Sequence, residues 1–193
     1  MPSFDRGFKS SAEHMSLTLR RELGLAEADR LDPVGLARHL DVDLWTPYDV
    51  PDLPKDVLNQ LLKEDPWGWS AASVVSDGRG LVIYNPRKSK ARQASDITHE
   101  LAHFILDHEP STIILSQDVG IAMRTFDRKQ EDEANWLAWC LLLPREALVW
   151  AKRAQLSTAG IATRFGVAKA LVTFRLNVSG VETQFGTRSR RRA

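Results

Sequence analysis

The chain has 193 residues, a formal net charge of +1, and a composition that is 43% hydrophobic and 26% charged. This length is enough to bury a core, and the composition excludes a disordered, collagen-like or coiled-coil chain. A single cysteine, Cys140, excludes an internal disulfide and a cysteine-rich zinc site. The longest apolar run, residues 136–143, is too short to cross a bilayer, and the N-terminus lacks the apolar core of a secretory signal. We therefore expect a soluble cytoplasmic protein without a membrane role.

Helices are predicted to dominate the N-terminal part of the chain. Apolar residues recur at helical spacing over 10–23, and Asp32 followed by Pro33 is typical of the start of a second helix. A short strand is predicted over 42–45. The segment 54–63 is ambiguous, and one further helix is its best interpretation.

The middle of the chain carries the clearest hairpin signal. Two apolar runs, 73–75 and 81–84, flank a loop that is rich in turn residues. A helix is predicted over 91–106 and another over 129–142, where Pro144 ends the pattern. The expected order is therefore a small sheet followed by two long helices.

The segment His99-Glu100-Leu101-Ala102-His103 carries the sharpest chemical signal. Two histidines four residues apart project from one face of a helix, so both imidazoles can bind one metal ion. A glutamate beside the first histidine is the residue type that takes a proton from a metal-activated water and passes it to the leaving amine. Imidazole nitrogens suit Zn²⁺, with Mn²⁺ as the alternative.

The context of this segment separates it from a chance match, which arises in roughly one chain of this size in a few hundred. The apolar residues Ile97, Leu101 and Phe104 form a stripe, which indicates a half-buried helix instead of a solvated loop. A strand-like run over 81–84 precedes the helix, and metallopeptidases often hold the substrate backbone along an edge strand.

A third metal ligand is expected in the helix predicted over 129–142. Glu131 shares a helix face with Ala134 and Ala138, whose small side chains would let this helix pack closely against the histidine-bearing one. A carboxylate on such a face is costly unless it is paired or metal-bound. Glu133 lies about 200 degrees further around the helix, where we expect it to be solvated. Glu131 is the predicted ligand, and Glu133 is the alternative.

These two segments resemble the ImmA/IrrE family of zinc metallo-endopeptidases. Residues 99–108 are similar to the active-site helix of that family, and residues 131–144 to its second signature block. The resemblance implies an α+β fold, a mostly helical zincin-like metallopeptidase domain with a small β-sheet and a C-terminal helix pair. It also implies that His99, His103 and Glu131 hold Zn²⁺ and that Glu100 is the catalytic base.

By the same resemblance, the expected function is hydrolysis of a protein substrate, with a helix–turn–helix transcriptional repressor as the implied partner. The alternative is a metal-containing, partner-binding or toxin–antitoxin regulatory module without peptidase activity. Glu100 argues against that alternative, because a structural metal site needs no base beside its ligand. Ala102 replaces the usual family glycine, and this change leaves the ligands unaffected.

Other polar residues near the predicted site carry weaker signals. His108 is expected to be a surface histidine at a helix end, with a contact to the site as the alternative. Asp96 either orients His99 or is solvated. Tyr48 or Tyr84 is a candidate to stabilise the oxyanion.

Two tryptophans, Trp67 and Trp69, are expected in the core, with a substrate cleft as the alternative. Cys140 is expected to be a buried small hydrophobe.

The C-terminal segments 158–165 and 168–176 form a helix–turn–helix-like pair with basic residues at Arg164, Lys169 and Arg175. Because this geometry is also a common way to pack two helices, we do not expect direct nucleic-acid binding. The expected organisation is one metallopeptidase domain, 1–186, followed by a basic disordered tail. Its parts are N-terminal helices at 10–45, a catalytic core at 46–155, the helix pair at 156–180 and the tail at 187–193.

Overall fold

The computed structural model describes residues 4–76, 79–108, 113–115, 122–124 and 127–190. Its helices are α1 (Phe8–Glu22), α2 (Pro33–His39), α3 (Lys55–Asn59), α4 (Lys90–Ile105), α5 (Arg128–Leu142), α6 (Arg145–Arg153), α7 (Thr158–Phe165), α8 (Lys169–Val178) and α9 (Val181–Arg190). Its strands are β1 (Val42–Trp45), β2 (Ala71–Ser76), β3 (Arg79–Tyr84), β4 (Ile113–Leu115) and β5 (Ala122–Arg124). The predicted α+β class, mostly helical with a small sheet and C-terminal helices, is confirmed.

The main sheet has the strand order β1-β3-β2. Strand β3 pairs in parallel with β1 and antiparallel with β2, and Ser73 of β2 stands opposite Val82 of β3. The predicted strand at 81–84 is therefore central, and the edge strand beside α4 is β2. A Cβ at Gly80 would lie 2.9 Å from Cε1 of Phe104, so glycine at this position lets β3 pack closely on α4. Strands β4 and β5 form a separate antiparallel pair.

Helices α4 and α5 form the centre of the molecule. They pack directly against each other, with the sheet on the far side of α4 and α1 against α5. Small residues line the contact: Ala102, Ala134 and Ala138 are fully buried. Close approach of these two helices is what brings side chains of α5 within reach of those of α4.

Two buried arginines hold the C-terminal end of α5. Arg20 donates to the carbonyl oxygen of Leu141 at 3.1 Å, and Arg175 donates to that of Leu143 at 3.0 Å. Arg175 also pairs with Glu13 of α1. Cations at this end of a helix satisfy its last carbonyls and oppose the negative end of its dipole. Burial lowers the pKa of Arg20 from its ordinary value, and the nearby Asp29 opposes that shift.

The predicted start of the second helix agrees with the structure, whereas the helix predicted over 54–63 differs from it. The carboxylate of Asp32 accepts hydrogen bonds from the backbone N–H groups of Val34 and Gly35, which confirms it as the cap of α2. The helix predicted over 54–63 becomes α3 followed by a π-helical turn, Gln60–Glu64.

The tail needs a correction. Helix α9 continues through Arg190, so residues 187–190 are helical and the predicted disorder from 187 onward is wrong for them. No proline interrupts this segment, and arginine is a good helix former. Residues 191–193 lie outside the described part of the chain, and the single-domain division at 1–186 stays a prediction. None of the described helices is long and apolar enough to cross a membrane.

Candidate metal centre

Helix α4 places the two histidines of the candidate site side by side. The helix begins after Ser89, whose hydroxyl accepts from the N–H of Arg92, and it continues unbroken through both histidines. His99 and His103 are one turn apart, and their Nε2 atoms lie 3.3 Å from each other. Both side chains are largely buried, with 19% and 14% of their surface exposed.

Glu131 reaches the same point from the first turn of α5. This helix begins at a cap in which Asp127 accepts from the backbone N–H groups of Lys129 and Gln130. The Glu131 carboxylate lies 3.2 Å from Nε2 of His99 and 3.7 Å from Nε2 of His103. One ligand atom from each of the three residues falls within 4.8 Å of the others, so this trio could hold a metal ion.

The spacing of these atoms fits a zinc ion. Tetrahedral zinc binds nitrogen and oxygen ligands at 2.0–2.2 Å, which places neighbouring ligand atoms about 3.3–3.6 Å apart. The distances of 3.3 Å between the two imidazole nitrogens and of 3.2 Å and 3.7 Å from these nitrogens to the carboxylate lie close to that range. Two histidines and one glutamate form a donor set that leaves a fourth position open, as catalytic zinc sites do.

Glu100 lies beside the trio without belonging to it. The residue is only 4% exposed, and the hydroxyl of Ser73 on β2 donates to its carboxylate at 2.6 Å. A buried carboxylate is costly without such a partner. Glu100, His99 and Glu131 all line one cleft of about 340 Å³, together with Asn135 of α5.

Sequence reasoning missed both Ser73 and Asn135. The amide of Asn135 donates to the carbonyl oxygen of Glu131 at 2.8 Å, which holds it on the cleft side of α5. Asn135 follows Glu131 by four residues, so the helical spacing that selected Glu131 could also have found it.

His108 contacts the candidate ligand His103 at the ring nitrogen that faces away from the trio. Its Nδ1 lies 3.0 Å from Nδ1 of His103, and its Nε2 lies 3.4 Å from the Glu133 carboxylate. The side chains of His108 and Glu133 are 7% and 13% exposed, so the expected surface position of His108 and the expected solvation of Glu133 are both wrong. Burial lowers the pKa of His108, and the hydrogen bond to Glu133 opposes that shift.

The turn after α4 explains why His108 points inward. The N–H of His108 donates to the carbonyl oxygen of His103, and the N–H of Asp107 donates to that of Phe104. Asp107 has a φ of 51°, in the left-handed region. This pair of bonds is the Schellman ending of a helix, which turns the chain back over its last turn.

Asp96 neither orients His99 nor is solvated. It is buried and pairs with Arg92 at 2.9 Å, and Arg92 also donates to Ser70 at 3.4 Å. Nδ1 of His99 is buried and has no hydrogen-bond partner within the described residues.

The aromatic candidates lie away from the cleft. Tyr48 and Trp67 are 67% and 69% exposed, so the expected core position of Trp67 is wrong. Trp67 stacks under Lys88, and Trp69 is half-buried and donates to the carbonyl oxygen of Leu61. Neither Tyr48 nor Tyr84 is among the described residues that line the cleft.

Two basic residues of the C-terminal helix pair contact other parts of the chain, Arg175 in the interior and Arg164 at the surface. Arg175 is buried against Glu13, and Arg164 donates to the carbonyl oxygen of Ala28 at 3.0 Å and lies over the ring of Trp150. Both arginines therefore have partners within the chain.

Comparison with known families supports the geometric assignment. The family model of the IrrE N-terminal-like domain, peptidase M78, matches residues 62–177. This span contains the histidines of α4 and the glutamates of α5. The comparison with curated proteins found no match.

Proposed function

The chain belongs to the peptidase M78 family of IrrE N-terminal-like domains, a metallopeptidase family, and on this premise we propose that it is a zinc-dependent endopeptidase. One observation carries the proposal: His99, His103 and Glu131 converge on one point beside the buried carboxylate of Glu100. A purely structural metal site has no use for that fourth side chain.

His99, His103 and Glu131 would hold the ion. The chemistry that zinc supplies at such a site is polarisation of the scissile carbonyl and activation of the attacking water. Glu100 would accept the proton of that water and return it to the leaving amine. The Ser73 hydroxyl keeps one carboxylate oxygen of Glu100 occupied and leaves the other for the proton.

Strand β2 offers the substrate backbone a docking edge. It is an edge strand of the described sheet, and Ala71 at its start lines the same cleft as Glu100. An extended peptide that pairs with this edge gains main-chain hydrogen bonds and runs past the candidate ligands. We infer that the protein substrate binds in this way.

Resemblance to the ImmA/IrrE family supports a helix–turn–helix transcriptional repressor as the substrate. The test is co-expression with the repressor encoded beside this gene, followed by analysis of repressor length. Wild type should yield a shortened repressor, whereas Glu100→Gln should keep its zinc and leave the repressor intact. Cleavage by the Glu100→Gln variant would refute the mechanism. An intact repressor that co-purifies with wild type would favour the partner-binding module instead.

The metal assignment is tested by elemental analysis after addition of zinc. Wild type should hold about one equivalent, and a content below about 0.1 equivalent would refute the site. Glu131→Ala should lose the metal, because a ligand is removed. Glu133→Ala is the matched control and should keep the metal under saturating zinc, since Glu133 contacts His108 and not the trio.

A further inference from the structure

We propose that a groove running from the candidate metal centre to the α7–α8 turn selects substrates with a large apolar side chain near the scissile bond and an acidic side chain further from it. The inference rests on the proposed peptidase function, because it assigns the substrate pattern of that same cleft. Three adjoining cavities form the groove.

The groove is continuous with the cleft of the candidate metal centre. A second cavity, of about 470 Å³, adjoins the cleft and shares Arg92, Ser95 and Trp139 with it. A third, of about 440 Å³, shares Ala91 and Val167 with the second. A polypeptide bound in the cleft can therefore extend along the N-terminal half of α4 without leaving the surface of the protein.

The second cavity is built for an apolar side chain. Its walls come from the start of α4, from α5, from the α7–α8 turn and from α8. The carbon-rich part of its lining consists of Trp139, Leu142, Val167, Ala170, Leu171 and Phe174. The rings of Trp139 and Phe174 meet edge to face at 4.6 Å, which fixes the shape of the wall. Its volume lies within the range of pockets that enclose small organic groups.

The third cavity is positively charged. Arg30, Lys90 and Lys169 line it, all three are exposed, and none of its lining residues, all in the described part of the chain, is acidic. The Arg30 guanidinium lies against the backbone of Gly166, where a Cβ would fall 2.2 Å from the guanidinium carbon. Three cations without an acidic neighbour in the lining favour a carboxylate of the substrate.

The helix geometry of α4 sets the distance between the candidate metal centre and the positively charged cavity. Lys90 precedes His99 by nine positions, which is about 13 Å along a helix axis. An extended peptide covers about 3.3 Å per residue, so the acidic side chain should lie about four residues from the scissile bond. The apolar cavity lies between the two, which places the apolar side chain two or three residues from that bond.

The experiment uses the full chain as the zinc-loaded Glu100→Gln variant, on which an mRNA-displayed library of random peptides is selected. Enriched peptides are then synthesised with a fluorescent label, and their affinity is measured by polarisation. Ala170→Phe, introduced into the same protein, fills the apolar cavity from an exposed position of α8 and should weaken binding at least about 10-fold. Asn177→Phe introduces the same side chain at an exposed position of α8 outside the groove and should leave affinity unchanged.

The basic end has its own pair of variants. Lys169→Glu should weaken binding by at least about 5-fold at low salt, and this difference should shrink as salt screens the charges. Lys63→Glu makes the same charge change outside the groove and is the control.

The outcomes separate this inference from the proposed function. Enriched peptides that carry an apolar and an acidic side chain about one or two residues apart, in either order, and that lose affinity in Ala170→Phe support the groove, whether or not wild type cleaves them. If wild type leaves both these peptides and the repressor encoded beside the gene intact, the proposed peptidase function is refuted, whereas the proposed role of the groove in binding is still supported. Enrichment without this pattern, affinity that is unchanged in Ala170→Phe, or no enrichment at all would overturn the groove.

Discussion

The hydroxyl of Ser73 donates a 2.6 Å hydrogen bond to the carboxylate of Glu100, which ties the edge strand β2 to the helix that carries both candidate histidine ligands. Glu100 is 4% exposed as a residue, so this bond compensates much of the cost of burying its carboxylate. It also fixes the direction in which the proposed base faces the cleft. The same strand that offers an edge to the substrate therefore orients the residue that would act on it.

Replacement of Ser73 by alanine should lower kcat about 10-fold and leave the zinc content unchanged. The loss corresponds to roughly 1.5 kcal/mol, the contribution of one hydrogen bond to a charged group. Cleavage of the substrate at saturating concentration and elemental analysis of the same preparation measure the two quantities.

The matched control is Ser73→Thr, which keeps the hydroxyl and suits a strand. It should retain most of the activity that the alanine variant loses. Equal impairment of both variants, or loss of zinc from Ser73→Ala, would show that the hydrogen bond to Glu100 is not the cause.

The candidate ligands could be predicted because each depends on helical periodicity alone. The spacing of His99 and His103 places them on one face of any helix, and the same rule set Glu131 beside the small residues Ala134 and Ala138. The structure brings these side chains together because α4 and α5 pack where the alanines allow it.

The supporting residues could not be predicted, because each depends on tertiary geometry. Ser73 meets Glu100 only through the strand order that puts β2 next to α4. His108 follows the end of a helix, where an exposed side chain is the default expectation. The left-handed conformation of Asp107 turns the His108 side chain back onto His103. Aspartate adopts that conformation only in particular contexts.

Replacement of His108 by alanine should weaken zinc binding 10- to 100-fold. An imidazole that holds the far nitrogen of a metal ligand keeps the ligand in place, and removal of such partners has effects of this size. Competition with a chromophoric chelator measures the affinity. His39→Ala is the control, because His39 pairs with Glu22 on α1 and lies outside the candidate trio. Equal affinity in His108→Ala and wild type would contradict the assigned role.

Replacement of Arg175 by alanine should destabilise the fold by about 3–5 kcal/mol. The change leaves the Glu13 carboxylate without its cation and removes the donor from the carbonyl oxygen of Leu143. Urea unfolding followed by circular dichroism measures the loss. Arg153→Ala, at an exposed position in the last turn of α6, should change stability by less than about 0.5 kcal/mol. A loss below about 1 kcal/mol for Arg175→Ala would show that this buried pair does not hold the C-terminal helices.

The thiol of Cys140 should make the fold less stable in alkali. Burial raises the pKa of Cys140 to about 12, and the side chain is fully buried in α5. In the unfolded chain a thiol has a pKa of about 8.5, so between roughly pH 9 and pH 12 the unfolded state loses a proton that the native state keeps. The free energy of unfolding therefore falls by about 1.4 kcal/mol per pH unit in this range, and the contribution is fully present below the unfolded pKa.

Urea unfolding of wild type and Cys140→Ala at pH 7, 9 and 10 isolates this effect from other groups that titrate in alkali. Cys140→Ala should lose less stability than wild type between pH 9 and pH 10, by about 1 kcal/mol, because alanine has no proton to lose. The constant cost of the smaller side chain is the same at every pH and cancels in the comparison. Parallel pH profiles for the two proteins would mean that the thiol titrates similarly in the native and unfolded states, against its burial in α5.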